Sequence, residues 1–141
     1  GLRNSSSYGC QNIAHGHLSW IEFDHDEHYR DDCEDCQQAL ESLATIIRND
    51  WDGAVLIDEA NVLEATDDFV TIAYQSGRGR FWAKYRRPYV KMLILPHETT
   101  VEHIVAAFAE RAAFWLERAH VKTLYISEGL AKGAAMEFSH V

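Results

Sequence analysis

Apolar residues recur at three- and four-residue steps in two long segments of the chain. The first segment, residues 31–49, opens with acidic residues that favour a helix N-terminus. Its apolar positions are Cys36, Leu40, Leu43 and Ile47. The second segment follows Thr99 and Glu102, which have the spacing of a capping box. Its stripe comprises Ile104, Val105, Phe108, Ala112, Trp115 and Leu116. The pattern therefore predicts two long amphipathic helices, the second running from Thr99 to about Ala119.

Shorter segments rich in β-branched and aromatic residues predict strands. They are about 17–24, 50–57, 69–74, 81–85, 89–95, 121–127 and 134–138. Residues 76–79 and 129–133 have turn composition, and 76–79 would join a hairpin. Because hairpins are mixed with two long helices, we expect a single antiparallel α+β domain over residues 1–141.

Composition limits the classes of protein that remain. The 141 residues are 47% hydrophobic, which is typical of a packed domain, and the net charge is −9. This acidity argues against a nucleic-acid partner. No apolar run approaches the roughly 18 residues of a membrane span, so no membrane partner is expected. Three cysteines and no evident leader favour the cytoplasm.

The segment from Cys10 to His17 carries the clearest candidate chemistry. On a strand, His15 and His17 would present two imidazoles on one face, with Gly16 between them. Two imidazoles beside a thiol are a common beginning of a catalytic zinc site. The alternative is a pair of exposed histidines next to a buried cysteine.

Several motifs occur in an order that resembles the 6-pyruvoyl-tetrahydropterin synthase / 6-carboxy-tetrahydropterin synthase family. They are Cys10-x4-His15-Gly-His17, Trp51-Asp52-Gly53, Thr99-Thr100-Val-Glu102-His103 and Tyr125-Ile-Ser-Glu128. The resemblance implies a tunnelling fold, an antiparallel sheet with two helices on one face. It also implies assembly of subunits into a barrel-like trimer or a hexamer of two trimers, with sites between subunits.

The resemblance assigns roles to the matching residues. His15 and His17 would hold Zn²⁺, Cys10 would transfer protons, and Asp52 would orient a catalytic histidine. Glu128 would anchor the ring of a reduced pterin. The helix-start residues that would line the pterin pocket are Thr99, Thr100 and Glu102, and their simpler interpretation is a helix N-cap.

Two departures from the family pattern bear on catalysis. The family takes a third zinc histidine from an N-terminal strand. That histidine would lie upstream of residue 1, or this protein has lost the ligand. Gly53 stands where the family has its catalytic histidine. By composition alone, His25, His28 or His97 could substitute for it.

Two further clusters stand out from the acidic background. One is basic and comprises Arg78, Arg80, Lys84, Arg86 and Arg87. It would contact a substrate triphosphate, form a solvated hairpin or form an interface patch that faces an acidic neighbour. The other is Cys33-Glu-Asp-Cys36, where neighbouring carboxylates are expected to disfavour a thiolate, so no chemistry is expected of it.

The sequence supports a main hypothesis and two alternatives. The main one is a zinc-dependent carbon–oxygen lyase acting on 7,8-dihydroneopterin triphosphate or a related reduced pterin. The first alternative is a diverged, non-catalytic or repurposed member that binds a pterin or purine-like ring. The second is a metal-binding assembly protein without a small-molecule site.

Overall fold

The computed structural model describes residues 20–77, 79–96, 98–127 and 133–139. Eight strands and three helices occur in this part of the chain. In chain order they are β1 (Trp20–His25), α1 (Glu34–Ile46), β2 (Val55–Asp58), β3 (Val62–Ala65), β4 (Phe69–Ser76), β5 (Gly79–Arg86), β6 (Met92–Leu95), α2 (Val101–Arg111), α3 (Ala113–Arg118), β7 (Val121–Ser127) and β8 (Gly133–Glu137). The elements divide between two compact units.

Unit 1 contains residues 50–100 and two small sheets. Strands β3, β4 and β5 form an antiparallel meander, whereas β2 and β6 pair in parallel. Its core centres on Ile57, Val70 and Ile72. These side chains come from both sheets, so apolar burial joins the sheets within this unit.

Unit 2 contains the described residues 20–49 and 101–139. Its antiparallel sheet has the strand order β1-β7-β8, and α2 contacts both β7 and β8. The Phe23 ring stacks on buried Phe108 of α2, with centroids 6.4 Å apart. Because side chains alternate along a strand, Trp20, Glu22 and Asp24 belong to the opposite face of β1.

The structure confirms a mixed α+β fold and corrects four details of the sequence prediction. The β2–β6 pair is parallel, so the expectation of only antiparallel pairing is wrong there. Strand β3 was expected to be loop. Helix α1 is shorter than residues 31–49 and continues as one π-helical turn over Ile47–Trp51. The second predicted helix is two helices, interrupted at Ala112.

The interruption at Ala112 preserves the apolar stripe. Ala112 has φ −104° and ψ 11°, outside the helical region, yet Phe108, Ala112 and Leu116 are all buried. The four-residue spacing of buried positions therefore continues across the break, and periodicity alone could not reveal it.

The longest helix in the described ranges is α1, with 13 residues. None of the helices there combines the length and apolar character that crossing a bilayer requires.

Candidate functional site

Four of the predicted site residues lie outside the described residues. They are Cys10, His15, His17 and Glu128, and their roles stay predictions. Arg78 and His97 also lie outside the described part of the chain. The strands next to these segments are described. Strand β1 follows the histidine segment in the chain, and β7 directly precedes Glu128.

The start of β1 lies beside the end of β7. The register pairs Trp20 with Ser127 and continues to Asp24 opposite Thr123. In sequence, His17 precedes Trp20 by three residues and Glu128 directly follows Ser127. The chain therefore enters β1 and leaves β7 at the same end of this strand pair.

The face of this sheet opposite α2 carries polar and aromatic side chains near that end. The indole Nε1 of Trp20 donates to Oε1 of Glu22 at 3.1 Å. Tyr125 stands opposite Glu22, and Ser127 is fully buried. The Tyr125 ring crosses diagonally to Gly133 of β8, where it occupies the space a Cβ would take. Gly133 thus allows the aromatic ring to lie flat against its neighbour strand.

Asp52 and Gly53 form a tight turn before β2. The Ala54 N–H donates to the Trp51 carbonyl at 3.1 Å, and Gly53 has φ +71°. This left-handed backbone is one that glycine adopts without steric cost. The backbone of this turn therefore accounts for a glycine at position 53.

This turn bears directly on the predicted catalytic pair. Asp52 is exposed, and its carbonyl accepts a hydrogen bond from Lys91 Nζ at 2.6 Å. A Cβ at position 53 would have no atom within 4 Å, but a side chain there would need a left-handed backbone. The backbone conformation at the position expected to hold the catalytic imidazole therefore favours glycine.

The predicted pocket residues at the start of α2 lie close to the expected helix boundary. The helix begins at Val101, so Thr100, rather than Thr99, directly precedes it. Thr99 and Thr100 are half-buried, and Glu102 is exposed in the first helical turn. A carboxylate there stabilises the helix N-terminus, which gives Glu102 a structural role.

His25 and His28, two predicted substitutes for the missing imidazole, lie at the far end of β1. His25 Nδ1 donates to the Ala119 carbonyl at 2.8 Å, and its ring stacks on Tyr29 with centroids 3.9 Å apart. The six residues of β1 separate His25 from the strand's start by roughly 17 Å. These imidazoles anchor the turn before β7 and are remote from the site end of the strand.

Three residues of the basic cluster lie on the exposed face of β5. Arg80, Lys84 and Arg86 alternate with inward-facing residues. Lys84 Nζ lies 3.9 Å from the centroid of the Phe69 ring. A cavity of about 290 Å³ beside Arg86 includes Asp68 in its lining. That carboxylate opposes anion binding, and the triphosphate contact stays a prediction.

Cys33 and Cys36 form a hydrogen-bonded pair at the start of α1. Cys33 is the N-cap, and its Sγ accepts the Cys36 N–H at 3.3 Å. Hydrogen bonds from Cys36 lower the pKa of Cys33. The hydrogen bond with Cys33, together with burial, raises the pKa of Cys36. Asp35 raises the pKa of Cys33, as expected of a neighbouring carboxylate, but the hydrogen bonds from Cys36 are the larger effect and the pKa is lowered on balance.

The sequence predicts two of the protein ligands that a catalytic zinc requires. His15 and His17 supply two imidazoles, whereas a catalytic zinc takes three protein ligands. Within the described ranges, no three side chains of His, Cys, Asp or Glu come together to hold a metal ion. A third ligand from these ranges is therefore not evident.

Comparison of the chain with family models, curated proteins and solved structures finds no match.

Proposed function

We propose that the protein is a zinc-dependent lyase acting on 7,8-dihydroneopterin triphosphate or a related reduced pterin, as in the tetrahydropterin synthases. The β1–β7 register carries the proposal. It pairs Trp20, which follows His17 by three residues, with Ser127, which directly precedes Glu128. A metal-held substrate side chain and a ring-binding carboxylate must face one cleft, and this register is what such a cleft requires.

Unit 2 supports the fold that the resemblance implies. Its three strands are antiparallel and its helices are inserted between β1 and β7 in the chain. Phe23, Leu124 and Ile126 form an apolar sheet face, and α2 contacts this sheet. A tunnelling fold and assembly into a trimer or hexamer belong to the proposal.

Four of the predicted site residues have a task in this proposal. Glu128 accepts hydrogen bonds from the ring N–H and amino groups, a bidentate pairing that selects a pterin. Cys10 moves a proton at the substrate side chain. His15 and His17 would hold zinc, which would polarise the side-chain oxygens.

A second candidate function is ring binding without this reaction. The left-handed backbone at Gly53 favours it, because the expected catalytic position has a conformation that suits glycine. Under this alternative Glu128 still binds a ring, and Cys10 is dispensable.

The proposal is tested by measuring reduced-pterin binding and turnover on zinc-treated protein. Glu128→Gln should abolish binding. The matched control is Glu137→Gln, at an exposed position of β8 in the same sheet, and it should leave binding unchanged. Cys10→Ser should retain binding and lose turnover. Turnover that survives Cys10→Ser, or binding that survives Glu128→Gln, contradicts the lyase assignment. Binding without turnover in the unmodified protein selects the second candidate.

Metal content tests the histidine pair separately. His15→Ala and His17→Ala should each reduce bound zinc, with His28→Ala as the matched control because His28 is exposed and distant from the start of β1. Equal zinc content in all of these proteins would exclude His15 and His17 as ligands.

A further inference from the structure

The Cys33–Cys36 pair lies outside the proposed pterin site and has a distinct geometry. Neither cysteine is in a disulfide. Cys33 is half-buried and Cys36 is completely buried. They stand three residues apart across the N-cap of a 13-residue helix. Cys33 is therefore partly accessible to solvent, whereas Cys36 is not.

Backbone geometry at this helix start suits a disulfide. Residues i and i+3 of a helical turn have Cα atoms roughly 5 Å apart, within the range that a disulfide spans. The Cys33 Sγ already points toward Cys36, since it accepts the Cys36 N–H at 3.3 Å. The two sulfurs could bond with little movement of the main chain.

The surroundings of Cys33 favour its thiolate. The N-terminal end of α1 carries a partial positive charge, and hydrogen bonds from Cys36 lower the Cys33 pKa. Asp35 acts in the opposite direction, but its Oδ1 lies 3.8 Å from an Arg118 guanidinium nitrogen. Cys36, in contrast, has a raised pKa and stays a protonated thiol.

We propose that Cys33 and Cys36 are a redox-active dithiol that exchanges with small-molecule or protein disulfides, with Cys33 as the attacking sulfur and Cys36 as the resolving one. This activity is independent of the proposed pterin chemistry. A partly accessible attacking cysteine and a buried resolving one at a helix start suit this exchange.

The exchange proceeds in two balanced steps. The Cys33 thiolate attacks one sulfur of the partner disulfide, forms a mixed disulfide and releases one thiolate. The Cys36 thiol then loses its proton and attacks Cys33 Sγ, which closes the intramolecular disulfide and releases the second thiolate. The two cysteines lose two electrons and two protons, and the partner disulfide is reduced to two thiols.

The test uses the full chain carrying Cys10→Ser, so that the third thiol is removed. The protein is equilibrated with mixtures of reduced and oxidised glutathione, quenched with acid and analysed by mass spectrometry. We expect loss of two hydrogen atoms and a peptide cross-link between Cys33 and Cys36. Accumulation of glutathione adducts on both cysteines, without the cross-link, would overturn the proposal.

Two variants in the same background assign the two roles. The Cys36→Ala protein should accumulate a mixed disulfide between Cys33 and one glutathione, because the resolving thiol is missing. Cys33→Ser, which preserves an N-capping side chain, should form neither product. A glutathione adduct on Cys36 in the Cys33→Ser protein would contradict the assigned order. Circular dichroism of each variant establishes that it is folded.

Alkylation of the Cys10→Ser protein provides a second readout. It leaves both Cys33 and Cys36 in place, so the buried position is not changed. Iodoacetamide should modify Cys33 about tenfold faster than Cys36, and the Cys33 rate should reach half-maximum below the usual cysteine pKa near 8.5. Equal rates for the two thiols in folded protein would refute the assignment.

Discussion

The ring of Tyr125 occupies the space into which a Cβ at position 133 would project. We therefore expect Gly133→Ala to displace the ring and to destabilise the protein by about 1–3 kcal/mol, the usual cost of overpacking. Denaturant titration measures this change. In a Tyr125→Ala background the same substitution should cost much less, because the steric conflict is gone. Equal costs in both backgrounds would show that the ring is not what requires glycine.

Gly53 tests the backbone of the turn before β2. With φ +71° and open space around its Cβ position, the cost of Gly53→Ala should come from backbone strain alone. We expect a loss of about 1 kcal/mol, and a smaller loss for Gly53→Asn, since asparagine tolerates this conformation better. Urea unfolding of the three proteins provides the comparison. A fully stable Gly53→Ala protein would contradict the left-handed backbone at position 53.

Tyr74 carries a buried hydroxyl that has no hydrogen-bond partner among the described residues. Burial, with a smaller effect of Tyr85, raises its pKa above the usual value near 10. The folded state therefore favours the neutral form of Tyr74. The free energy of unfolding keeps its full value below about pH 10 and falls as the pH rises through the folded-state pKa. Tyr74→Phe should leave neutral-pH stability within about 1 kcal/mol and reduce its loss at alkaline pH.

Exposed Tyr89 provides the matched control for this substitution. Tyr89→Phe should leave the alkaline unfolding profile unchanged in a pH series of thermal melts. An identical alkaline profile for Tyr74→Phe and the unmodified protein would contradict the role assigned to Tyr74.

Phe108 tests the core of unit 2. Its side chain is completely buried and stacks on Phe23, so Phe108→Ala should cost about 3–5 kcal/mol through lost burial and a cavity. Phe114, on α3, is 58% exposed, and Phe114→Ala should cost less than about 1 kcal/mol. Chemical denaturation distinguishes the two. Similar losses would mean that α2 does not pack as described.

The helix and strand patterns of unit 2 could be predicted because they are local. Val121–Ser127 was predicted with its observed bounds, and α1 follows from the spacing of Cys36 and Leu43. Val62–Ala65 was missed because three of its four residues are exposed, so alternation is weak there. The α+β class follows from the order of such elements alone.

Candidate ligands could be recognised in the sequence through residue type and spacing, as for His15, His17 and Glu128. The partners of each element could not, since strand pairing joins residues far apart in the chain. Only the tertiary structure set Trp20 opposite Ser127 and paired β2 with β6 in parallel. It also bent the backbone at Gly53 and placed the Cys36 N–H on Cys33 Sγ. Periodicity reports which face of an element is buried, whereas register, turn type and hydrogen-bond direction depend on what the rest of the chain packs against it.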